Sequence, residues 1–191
     1  MTNPVRPLNP MVYVNGQELL DEHLQWLIEI RIETEMRLPG RVVLRFRDPE
    51  NKLVASGRFK VGGKVSVKAK SNQQSMVMID ATITGLGYET TVAYDAMDRF
   101  DGRKGSIDEF FVVAHDNAFQ LTRNCTVKGV EQVTPRDIVT TLASAAGLES
   151  AVTLERNAVI PVMSQLHSDY DLLNAVADRE GVDWWVVASN K

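Results

Sequence analysis

Apolar residues recur at every second position through the first part of the chain. Leu24, Trp26, Ile28, Ile30 and Ile32 fall on one face, against Gln25, Glu29, Arg31 and Glu33, with Leu27 alone out of phase. After Pro39-Gly40 the alternation resumes as Val42, Leu44 and Phe46 against Arg41, Arg45 and Arg47. Period two marks a half-buried strand, so these runs predict two consecutive strands joined at the Pro-Gly break. Phe59 and Val61 lead into Gly62-Gly63, and Val65, Val67 and Ala69 then alternate with Lys64, Ser66, Lys68 and Lys70. The glycine pair predicts a bulge or tight bend, as at a barrel corner. Met76 to Leu86, rich in β-branched residues, predicts a further strand. Residues 87–109 hold Asp95, Asp98, Asp101, Gly102, Arg103, Lys104 and Gly105 with little periodicity, and read as a long polar loop before a strand from Phe110 to His115. Short strands with turn signals between them predict a small antiparallel barrel or sandwich over residues 11–117, behind a flexible arm over residues 1–10.

The pattern then changes to period 3.6. Thr134-Pro135-Arg136-Asp137 is a helix start: threonine caps, proline suits the first helical position, and aspartate favours the positive end of the dipole. Ile138, Val139, Leu142, Ala143 and Ala146 form one apolar stripe, and Gly147 ends it. Ser168-Asp169-Tyr170-Asp171 starts a second helix, with Leu172, Leu173, Val176 and Ala177 inside and Gly181 at its end. Extended Val159 to Val162 lies between the helices, and a strand from Val182 to Val187 follows the second. Residues 118–191 thus predict a small α/β segment, the start of a second and incomplete domain. The fold class is mainly β, a barrel followed by a small α/β region.

Composition adds that a core can be built. Of 191 residues, 44% are hydrophobic and 24% charged, ordinary for a globular chain. The opening MTNPVRPLNP lacks the apolar run of a secretory signal, and no segment approaches the roughly 18 apolar residues of a spanning helix. These features predict cytoplasmic assembly with no membrane insertion. Net charge is −4, yet Arg41 to Lys70 carries nine basic residues against Asp48 and Glu50, a local +7 that leaves −11 elsewhere. Such asymmetry predicts charge-complementary contacts, between copies of the chain or with partners. Arg45, Arg47, Lys64, Lys68 and Lys70 are the candidate interface or lumen residues. The bland alternative is two solvated strand faces that happen to be basic.

Catalytic and metal chemistry finds little to stand on. His23, His115 and His167 are not at ligand spacing, and no nucleophile elbow or phosphate-binding glycine motif occurs. Cys125 reads as an inert, partly buried thiol. Asp95, Asp98 and Asp101 recur at every third position, whereas calcium loops use every second. No cofactor and no metal are expected. The basic stretch lacks interleaved aromatics, so nucleic acid is not an expected partner. Of the adjacent Trp184 and Trp185, one is expected in the core and the other at a surface or interface.

The order of segments resembles a known family. Val12-Tyr13-Val14-Asn15-Gly16-Gln17-Glu18-Leu19, Trp26 to Glu33, Leu38-Pro39-Gly40, Val42 to Phe46 and Asp48-Pro49 are similar to the opening of phage late-control protein D. Its relatives include the hub part of the VgrG spike of type VI secretion and the spikes of extracellular contractile injection particles. Phe59-Lys60-Val61-Gly62, Thr82 to Leu86, Gln120 to Arg123, Pro135 to Val139, Ala145 to Leu148 and Ser168 to Leu173, through Gly181 and Trp185, follow in the same order. No single motif is specific; the colinear series carries the likeness. The resemblance implies a non-enzymatic baseplate hub with tail-tube-like barrels. It also implies a homotrimer that joins the hexameric inner tube protein to the trimeric spike, with needle and baseplate proteins as partners. Competing readings are a tail-tube initiator, a LysM-like cell-wall-binding module and a tail-associated hydrolase.

Overall fold

The computed structural model describes residues 9–48, 51–71, 74–92, 106–125, 127–165 and 167–188. Asp95, Asp98, Asp101 and Gly102 of the expected polar loop lie outside the described residues, as do residues 1–8 of the arm. The chain divides into two compact units. One is built on Arg41–His115 and the strands up to Glu33, the other on Thr34–Gly40 and Asp116–Val187.

The first unit is a seven-stranded antiparallel sheet of β1 (Asn9–Val14), β2 (Gln17–Glu18), β3 (Leu27–Glu33), β4 (Arg41–Arg47), β5 (Lys64–Ser71), β6 (Gln74–Val92) and β7 (Ser106–His115). Their order across the sheet is β2-β1-β5-β6-β7-β4-β3. The sheet curls into half a barrel, helped by register shifts at Leu27/Glu29, Val67/Lys68 and Ile83/Gly85, since a bulge bends and twists its strand. Alternation places Val12, Val14, Val42, Leu44, Phe46, Val65, Val67, Ile79, Ala81, Ile83, Phe110 and Val112 on the concave side, all buried. Phe46, Phe59 and Phe110 form an aromatic trio with centroids 5.4 to 6.3 Å apart. Short helices α1 (Asp21–Leu24) and α2 (Lys52–Ala55) fill connections. Buried Asp48 accepts backbone N–H bonds from Leu53 at 2.7 Å and Val54 at 3.0 Å, which fixes the start of α2.

The glycine pair makes a turn. Gly62 has φ +87°, and a Cβ on Gly63 would stand 3.0 Å from the Lys60 carbonyl oxygen. Val61 is 65% exposed and belongs to that turn, not to a strand. Other expectations are corrected too. Residues 87–92 and 106–109 are not loop, because β6 and β7 stay paired from Gly87↔Phe111 to Val92↔Ser106. Tyr88, Thr90 and Thr91 favour strand, and a two-stranded ribbon needs no buried alternation to keep its ladder. The bulge at the start of β3 reverses the phase there: Leu27 packs on the core and Ile28 is 47% exposed. Leu24 ends α1 where a strand was expected.

The second unit contains α3 (Phe119–Arg123), β8 (Lys128–Val133), α4 (Pro135–Ala145), β9 (Ile160–Gln165) and α5 (Asp169–Glu180). Strands β8 and β9 pair antiparallel. Both long helices open on a capping box: Thr134 with Asp137, and Ser168 with Asp171. Gly147 and Gly181, at φ +70° and +67°, terminate them. Leu121, Ile138, Leu142, Ile160, Leu172, Leu173 and Val176 make the core. The segment 182–188 forms no ladder among the described residues, contrary to the expected strand. Its alternation still sends Trp184 to the core and leaves Trp185 63% exposed. Cys125 is exposed, not partly buried, and its backbone forms an isolated antiparallel bridge with Ser168. No helix among the described residues is long and apolar enough to cross a membrane.

Candidate interaction surface

The convex face of the sheet carries all five candidate cations, but topology separates them. Arg45 and Arg47 lie on β4, and Lys64, Lys68 and Lys70 on β5, with β6 and β7 between. The ladders set Lys64 opposite Thr82, Thr82 opposite His115, and His115 opposite Arg41. Paired residues point to one side, so all these side chains share a face. Three strand spacings, about 14 Å, divide the two basic strands. The continuous +7 run of the sequence is therefore two rows in space.

The rows differ electrostatically. On β4, Arg45 places Nε and Nη2 at 2.7 and 2.6 Å from Glu109 Oε2, and Nη1 at 3.5 Å from Glu29. Its guanidinium also covers the Phe111 ring at 5.5 Å. Hydrogen bonding to Glu109 holds Arg45 above its ordinary pKa. Arg31 and Arg41 share Glu33 at 2.8 and 3.6 Å. Burial pushes the His115 ring below its usual pKa, and Arg41 adds to this; its Nδ1 lies 2.7 Å from the Thr84 hydroxyl. Glu29, Glu33 and Glu109 thus pair with Arg31, Arg41 and Arg45 on the flank formed by β3, β4 and β7. Arg47, at the end of β4, is exposed and has no carboxylate at ion-pair distance among the described residues.

The β5 flank has no such compensation among the described residues. Lys64 Nζ donates to Thr82 Oγ1 at 2.7 Å, and Lys68 Nζ sits 4.7 Å from the Tyr13 ring centroid. Among the described residues, no carboxylate comes within ion-pair distance of Lys64, Lys68 or Lys70. Asp80 on β6 is in register with Ser66, between the lysines, but pairs with neither. Tyr13, Glu29 and Glu109 were not among the candidates. Glu109 lies 64 residues from Arg45, so only the folded register brings them together.

The second unit has an open cleft of about 360 Å³ lined by Met36, Leu38, Asp116, Trp185 and Val187, among others. Asp116 is buried, and its carboxylate accepts backbone N–H bonds from Gly40 and Ala118 at 2.8 and 2.9 Å. Burial raises its pKa, partly offset by these bonds. The segment beside the cleft is clamped by Arg37, which bonds Asp178, Asp183 at 2.6 Å and the Val182 carbonyl at 2.7 Å. Its own carbonyl accepts from the Tyr170 hydroxyl at 2.9 Å. Among the described residues, no three His, Cys, Asp or Glu side chains gather where they could hold a metal ion.

No protein-family profile matches the chain, and no curated protein matches it by sequence. Solved structures do match. A 43 kDa tail protein of a Shewanella oneidensis prophage superposes with a TM-score of 0.61 at 14% identity, over 96% of this chain and 54% of its own. A Neisseria meningitidis tail protein gives 0.57 at 14% identity, over 96% and 52%. An Escherichia coli component of the type VI secretion system, described as structurally similar to bacteriophage T4 tail proteins, gives 0.51 at 11% identity, over 87% and 42%. The chain spans about half the length of the two tail proteins, and at these identities what it shares with them is a fold.

Proposed function

We propose that this chain is a structural subunit of a contractile tail or injection machine. In this reading it is the baseplate hub that joins the hexameric inner tube to the trimeric spike. The observation that carries it is the fold match over 96% of the chain with tail proteins of two organisms. Both units take part in that match, whereas a plain tube subunit needs only the sheet. Residues 11–117 serve as the tube-like barrel and 118–191 as the start of a second hub domain. The hub acts by shape and contact, without catalysis, as a homotrimer. Its neighbours are the inner tube protein, the spike and other baseplate proteins, and Arg45, Arg47, Lys64, Lys68 and Lys70 face a neighbour or the lumen.

Affinity-tagged chain, expressed in cells that make the particle, should co-purify the tube protein and the spike together. Recovery of the tube protein in large excess, without spike, would point to a tube subunit; recovery of neither would count against both roles.

A further inference from the structure

We propose that the β5 lysine row (Lys64, Lys68 and Lys70) docks on the acidic second unit of another copy of this chain. The inference rests on the assembly reading above and narrows its candidate contact from five residues to three. Arg45 is excluded because Glu109 and Glu29 already satisfy it, and Arg47 because it lies on β4, three strands from the lysine row. Among the described residues the three lysines have no carboxylate at ion-pair distance, on a face whose other flank pairs Arg31, Arg41 and Arg45 with carboxylates. Two of them are also held in place, Lys64 by Thr82 and Lys68 over Tyr13. Cations fixed before contact lose less side-chain freedom on binding, which favours an interface role over a merely solvated one.

The occupant follows from the charge distribution of the chain itself. The second unit carries eleven carboxylates against six arginines and lysines, a net −5, while the first unit is +1. Glu35, Glu131 and Glu155 are exposed there and form no ion pair with a described residue. A second copy therefore supplies the complementary surface. Because the two patches differ, the contact joins unlike surfaces: it is made twice in a reciprocal two-fold pair, or once per copy in a head-to-tail ring. Exposed charges of this kind set register and orientation more than affinity, and they are screened by salt.

Light scattering of the 191-residue chain over a range of concentrations, at low and high salt, tests this. The wild type should self-associate at low salt, and high salt should weaken that association. K64E/K68E/K70E should weaken it by about tenfold or more, with an unchanged far-UV circular dichroism spectrum. Lys→Gln at the same three positions should weaken it less, and serves if the glutamate variant fails to fold. Arg31→Gln, on the paired flank, should leave it as it is. A wild type that stays monomeric at low salt overturns the proposal. So does association that survives the triple substitution, though that result leaves the baseplate reading standing. Failure to co-purify tube and spike overturns the baseplate reading, whatever the light scattering gives.

Discussion

The two units hold themselves together differently. The sheet unit buries a continuous apolar face contributed by β1, β3, β4, β5, β6 and β7, with the Phe46–Phe59–Phe110 trio inside it. Its convex face contributes little to that core and is free to carry charge. The second unit has a smaller core and depends more on directed polar contacts: two capping boxes, the Arg37 clamp and the Asp116 carboxylate. Surface charge can therefore be varied on the sheet at small cost, whereas single polar groups carry more of the structure in the helical unit.

Phe46→Ala should strike hardest, since it removes a fully buried ring that touches two others. A loss of about 3–5 kcal/mol is expected by urea denaturation, and a loss under about 1 kcal/mol would mean the trio does not anchor the sheet. Ile160→Ala should cost about 2–5 kcal/mol, read most clearly as lower protection of α4 and α5 amides from hydrogen exchange. If Ile160→Ala unprotected β4 and β7 equally, the two units would be one cooperative body and the contrast between them would fail.

The caps come next. Ser168→Ala or Thr134→Ala should cost about 1 kcal/mol each, seen as a lower melting temperature. Asp137 and Asp171 are held below the usual carboxylate range by the cap hydroxyl and backbone N–H bonds of Thr134 and Ser168. A carboxyl depressed in the folded state stabilises it above the unfolded pKa, and that contribution disappears as pH falls through the folded pKa. Helicity should therefore decline on acidification below the ordinary aspartate range, and less so in Asp137→Asn/Asp171→Asn. Smallest of all, K64E/K68E/K70E should shift stability by no more than about 0.5 kcal/mol. A large loss of stability there would make those lysines structural, not contact, residues.

Much of this fold was legible in residue order. The runs Val42-Leu44-Phe46 and Val65-Val67-Ala69 bury as their alternation predicts, and both helices begin and end at their cap and glycine signals. Strand β8 was missed because Gly129, Glu131 and Gln132 interrupt its apolar positions and its partner β9 is far along the chain, with Lys128 paired to Gln165 and Val133 to Ile160. The ends of β6 and β7 were misread because Gly87 to Thr90 are all exposed and offer no buried stripe. At Ile28 one bulged residue reversed the inside and outside of a strand. For the interaction surface, the sequence showed which residues are basic but not which are neutralised. That depends on β4 lying between β3 and β7, three strands from β5, and no local pattern encodes it.

The most direct test of the central claim is electron microscopy of purified particles labelled with gold-conjugated antibody to this chain. A baseplate hub predicts label at one end of the tail only, where tube meets spike. Label along the length of the tube, or none on the particle, would contradict it.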